Sequence, residues 1–165
     1  MADSTHYQLV TELSREIVTN VAPQELPIFR AQSQAYSRNP EKSLAAKPGK
    51  DDMLGFGPGE AFAFLTPCIL AVMSSVVMFL TAEVKKAVKE QTASVITSAV
   101  KGLFKKYGPA AVHEAESKET TGQRIVLTAK QLDQVREIVI NRARQLKVGE
   151  AKVDLLANSI VGSLV

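Results

Sequence analysis

The chain has 165 residues, a formal net charge of +3, one cysteine and no tryptophan. So mild a balance gives no charge-based argument for nucleic acid, and a single cysteine excludes both an intrachain disulfide and a multi-cysteine metal site. The charge is unevenly placed: residues 1–60 carry six Lys/Arg against eight Asp/Glu, residues 83–165 carry fourteen against nine, and residues 61–82 carry none.

The N-terminal stretch MADSTHYQLVTELSRE is polar and has no apolar h-region, which argues against a secretory signal peptide. Val10, Leu13, Ile17, Val18 and Val21 recur at helical spacing, with Asp3 or Ser4 as candidate caps and Pro23 as the stop. A second helix is expected from about Gln24 to Tyr36, with Leu26, Phe29 and Tyr36 facing inward. Asn39-Pro40 then breaks the chain. Residues 1–37 thus read as an N-terminal helical lobe.

Residues 38–59 read as a linker, because Pro40, Pro48, Pro58 and four glycines punctuate it. Gly55, Gly57 and Gly59 are the expected hinge, with Pro67 as a second bending point. The same glycines lack the strand, helix and Lys-Ser/Thr that a phosphate-binding loop requires.

Residues 60–107 read as a central helix, apolar at first and amphipathic later. Its apolar part, Ala61–Ala82, is a candidate membrane span: about twenty residues at ~1.5 Å each cross a bilayer core, and a mean hydropathy of roughly 2 lies in the spanning range. Phe64, Leu65, Ile69, Leu70, Val72, Val76, Val77, Phe79 and Leu80 are its expected membrane or core contacts. Pro67 permits two geometries. It either kinks a helix that spans the whole segment, or follows Thr66 as N-cap and starts a shorter helix suited to a protein core. The missing aromatic belt favours the core. Lys85, Lys86 and Lys89 follow directly and suit anionic lipid headgroups on a cytoplasmic face, or simply a solvated helix face. The stripe Val84, Val88, Val95, Ile96, Val100, Leu103 and Phe104 suggests one continuous helix of about forty residues, ended by Gly108-Pro109.

Residues 108–127 are polar and read as a loop, with a possible short strand at 124–127. Residues 128–165 read as a helical hairpin. Thr128 and Gln131 form a capping box with Leu127 and Leu132 as its staple, and Gly149 ends the first helix. The hairpin has no aromatic residue and should dock on the rest of the chain or on a protein partner.

Chemistry is thinly represented. His6 and His113 are far apart, Cys68 lies in the most apolar stretch, and the acidic clusters Asp51-Asp52 and Glu114/Glu116/Glu119 fall in expected loops. No catalytic, cofactor or metal site is expected. Only Phe104 and Tyr107 lie near the lysines, which speaks against nucleic acid.

The expectation is an all-α protein: a long central helix flanked by an N-terminal helix pair and a C-terminal hairpin. Its expected role is non-enzymatic. It would oligomerise through the apolar helix at the cytoplasmic side of a bilayer, as an anchor or a pore-forming effector. The alternative is a cytoplasmic all-α assembly module, homo-oligomer or adaptor, with the apolar helix as its core.

Overall fold

A computed structural model describes residues 2–45, 65–89, 92–104 and 125–165, and the chain is all-α. Helix α1 spans Ala2–Val21, α2 Leu26–Arg38, α3 Pro40–Ala45, α4 Leu65–Ala87, α5 Ala93–Gly102, α6 Ala129–Gln145 and α7 Glu150–Leu164, with a 3-10 turn at Pro23–Glu25. The hinge glycines Gly55, Gly57 and Gly59, and Phe64, lie outside the described residues.

Four helices close a ring: α1 packs on α4, α4 on α6, α6 on α7, and α7 back on α1. Helices α2 and α3 cover a further side of α4, and α5 lies against both α4 and α1. Thus α4 touches five other helices, which is what a helix apolar on nearly every side requires. Direction is readable from side chains. Gln131 at the start of α6 bonds Glu83 near the end of α4, while Arg136–Asn158 and Arg144–Glu150 pair the two C-terminal helices in antiparallel fashion.

The apolar periodicity places the core. In α1, Val10, Leu13, Ile17 and Val18 are buried as expected, and Ser14 joins them. In α6 and α7, Val135, Val139, Val153, Leu156 and Ile160 form the inner face of the hairpin. Thr128 and Gln131 make both bonds of the capping box, at 3.2 and 2.9 Å, and Leu127 and Leu132 pack against the core.

Several expectations need correction. α1 already begins at Ala2, so Asp3 and Ser4 lie inside the helix and do not cap it. The linker is helical at its start. Asn39 accepts from the Lys42 amide at 2.9 Å, and Pro40 occupies the first helical position, so the pair that reads as a breaker opens α3. The forty-residue helix is two helices. Thr92 adopts an extended backbone (ψ 148°) and accepts from the Val95 amide, which starts α5 afresh. The break folds Ile96, Val100, Leu103 and Phe104 into the core; a straight helix of that length would be about 60 Å long and leave this stripe uncovered. Residues 125–128 form no strand; they lead into α6, and Ile125 packs on the core.

The turn between α6 and α7 also differs. Gly149 has an ordinary extended backbone and precedes α7, while the left-handed residue after α6 is Lys147, at φ 61°. The amides of Lys147 and Val148 reach back to Arg144 and Ala143 at 2.9 and 3.0 Å, closing a Schellman motif. A side chain in this region costs about 1–2 kcal/mol, whereas glycine adopts it freely. Lys147→Gly should therefore stabilise the protein by about 0.5–1 kcal/mol after glycine's greater unfolded-state entropy. The check is a higher urea midpoint at an unchanged m-value.

Candidate functional site: the apolar helix and its buried cap

Helix α4 reads LTPCILAVMSSVVMFLTAEVKKA and has a mean hydropathy of 2.0 over its most apolar stretch, 61% of which is buried. Length and composition alone would let it cross a membrane, a property that core helices share. Leu65, Ile69, Leu70, Val72, Val76, Val77 and Leu80 are buried, and Phe79 is half-buried. The outward face is made of Ser74, Ser75, Met78, Phe79, Thr81 and Ala82, with Met78 64% exposed. None of these is charged, although water would accept a charge at the exposed Met78 and Ala82.

Pro67 lies in the first turn of α4 and is buried, so it neither kinks a longer described helix nor sits at the first helical position. It matters for what it lacks. A helix leaves its first amides without partners, and here Leu65 and Thr66 have N–H groups while Pro67 has none. Both amides donate to one side chain, the carboxylate of Glu25: Leu65 N to Oε2 at 3.0 Å and Thr66 N to Oε1 at 3.0 Å. The Thr66 hydroxyl adds a third bond to Oε1 at 2.9 Å. Glu25 ends the 3-10 turn after α1 and is only 6% exposed. Its negative charge faces the positive end of the α4 dipole. α4 has no acidic residue in its own first turn, so the cap comes from forty residues away in sequence.

This residue escaped sequence reasoning. Two signals point to it in hindsight. A first turn with proline and no acidic residue needs an outside acceptor, and Glu25 stands between the inward-facing Ala22 and Phe29.

One turn further on, Cys68 faces a cleft of about 170 Å³ with Leu65, Leu146, Val148, Gly149, Lys147 and Lys152. Half-buried in this apolar surround, the thiol is a packing residue. Burial raises the pKa of Tyr36, with Arg142 opposing.

The lysines follow at the other end of α4. Lys85, Lys86 and Lys89 are exposed, and the first two lie in the last turn, where the helix dipole favours cations. Lys86 pairs with Glu83 at 2.8 Å, and hydrogen bonds from Lys86 and Gln131 hold the Glu83 carboxyl below its ordinary pKa. Beyond the break, Ser94 and Ser98 are exposed on α5 and Thr97 is half-exposed. His6 meets Ser74 at 3.4 Å, while His113, Asp51, Asp52 and the Glu114–Glu119 cluster lie outside the described residues. Among the described residues no three His, Cys, Asp or Glu side chains are grouped to hold a metal.

No protein-family model, curated protein or solved structure matches this chain. What can be said of its site therefore comes from the geometry above.

Two outcomes are expected here. Glu25→Ala strands two amides and a hydroxyl in a buried place, and should cost about 3 kcal/mol in a urea melt. A loss below about 0.5 kcal/mol would mean that water replaces the cap at no cost. Separately, iodoacetamide should modify Cys68 in the folded chain at pH 8 several-fold more slowly than in urea, because the half-buried thiol is shielded by the residues packed around it. Equal rates would place the thiol in free solvent.

Proposed function

We propose that this chain is a non-enzymatic helical module with two states. In the closed state α4 is sheltered by the other helices. In the second it leaves them, enters a bilayer and self-associates there, as an anchor or as a pore-forming effector. The observation that carries this reading is the absence of charge around the whole of α4 from Leu65 to Ala82, its outward positions included. A helix covered on several sides must be apolar on those sides, but the positions it leaves facing water gain solubility from charge. Met78 and Ala82 forgo that gain, and a lipid environment supplies the reason.

Lys85, Lys86 and Lys89 fit the same reading. They end the apolar stretch on one side, where anionic headgroups attract each lysine by about 1 kcal/mol and where basic residues mark a cytoplasmic face. In an assembled state, the hydroxyl-bearing side of α5 would offer Ser94, Thr97 and Ser98 to a water-filled path.

A second reading has its own observation. The burial of Ile69, Val72, Val76 and Leu80 makes α4 the core of a bundle. Its exposed stripe at Met78 would then seat a second copy or an adaptor's apolar face, and no bilayer is involved.

Met78→Glu separates the two. In the closed bundle this position is 64% exposed, so the urea midpoint should hold within about 0.5 kcal/mol. Inside the apolar stretch of a spanning helix, but only five residues from Glu83, the same charge costs about 1–2 kcal/mol, so flotation with anionic liposomes should fall about tenfold. Flotation equal to wild type would sink insertion of α4. A wild-type oligomer in lipid-free solution that Met78→Glu turns into a monomer would favour the assembly module. Lys85→Glu, Lys86→Glu and Lys89→Glu together should weaken liposome binding by about 3 kcal/mol at low salt, with a smaller effect at high salt.

A further inference from the structure

We propose that the Glu25 carboxylate is an autoinhibitory latch, the contact that keeps α4 in the bundle and must break before the helix engages a membrane. This rests on the two-state reading of α4 given above.

The ties between α4 and its neighbours are of two kinds, and they respond differently to lipid. Ile69, Val72, Val76 and Leu80 pack against apolar side chains, and lipid tails replace such contacts at little loss because they are equally apolar. Polar ties have no such replacement in hydrocarbon. Two of them, His6–Ser74 and Gln131–Glu83, are only part-buried, and Glu83 sits at the lysine-bearing end, where headgroups and water are available. The bonds from Leu65 and Thr66 to Glu25 are buried, involve a full charge, and hold the helix end that has no lysine. Breaking them strands two amides and a hydroxyl until that end reaches the opposite headgroups, so they oppose release of α4 more than any single apolar contact does.

The latch also has the right placement for control. Glu25 belongs to the N-terminal part of the chain, four residues past the end of α1, and α2 follows it directly. Moving these elements relative to α4 would break all three bonds together, because they converge on one carboxylate. Pro67 sharpens the effect, since it offers no third amide to find an alternative acceptor.

The test uses the full chain with Glu25→Gln, which keeps the size of the side chain but points an amide donor at a backbone N–H. Ile160→Ala, in the core of α7, serves as a control of similar lost stability away from the first turn of α4. Hydrogen exchange without lipid reads the contact itself. Flotation with phosphatidylcholine–phosphatidylglycerol vesicles, at about three to one, reads the consequence. Glu25→Gln should speed exchange at the amides of Cys68 to Val72 about tenfold beyond the control, and raise the floated fraction by a similar factor.

Exchange no faster than in the control overturns the latch. Faster exchange with flotation equal to the control also overturns it, since general loss of stability then releases α4. Faster exchange with no flotation of any variant overturns the membrane reading instead, and leaves the latch nothing to restrain. Should Glu25→Gln fail to fold, Thr66→Val removes one of the three bonds and must give the same ranking on a smaller scale.

Discussion

A helix that begins Leu65-Thr66-Pro67 has a donor problem before it has a packing problem. Its first turn is buried, its own sequence offers no acidic cap, and proline removes one amide from the set. Two N–H groups and a hydroxyl must still find an acceptor, because burying them unpaired costs more than most single packing contacts return. Glu25 meets all three. The same bonds solve the reciprocal problem, since a carboxylate that is 6% exposed would be untenable without several donors and a favourable dipole. Each side makes the other tolerable, and together they set where the chain leaving α1 meets the start of α4.

The remaining arrangement follows from how much of α4 is apolar. A helix with a single stripe is satisfied by one or two partners. This one takes α1 and α6 as long flanks, α2 and α3 on a further side and α5 at its later end. The break at Thr92 is part of that solution, because it returns Ile96, Val100 and Phe104 to the core. Helix α7 completes the ring by bridging α6 and α1, with Val153, Leu156 and Ile160 turned inward. The cover is incomplete, and Met78 is left facing water.

That incomplete cover gives the two-state proposal its physical basis. Apolar contacts are nearly interchangeable between a protein interior and lipid, so a helix of this composition is held in a bundle mainly by what lipid cannot offer. In this protein that is a small number of polar contacts, of which the Glu25 set is buried. The lysines at the opposite end are already where water and headgroups would meet a span, so that end needs no rearrangement of charge. On that proposal, the asymmetry makes the first turn the point of control.

Local patterns were legible in the sequence wherever one short window held all the information. The stripe of α1 and the Thr128–Gln131 capping box depend on residues three and four apart, and they appear as expected. The errors share a cause. Asn39-Pro40, Gly149 and the stretch around Thr92 each permit a stop or a start, and neighbouring packing selects between them. The apolar character of α4 was equally plain, but its burial was not, since a span and a core helix have the same composition. Glu25 was harder to read because its partners lie forty residues on, and its place between Ala22 and Phe29 is only a weak local signal. By itself the sequence determined the helical class, the apolar helix and the lysines that follow it, because periodicity and charge are local properties. Only the tertiary structure decided that Pro67 sits in a capped first turn, that the central helix is two helices, and that a distant carboxylate closes its end, because the satisfaction of buried donors is settled by what the fold brings within about 3 Å.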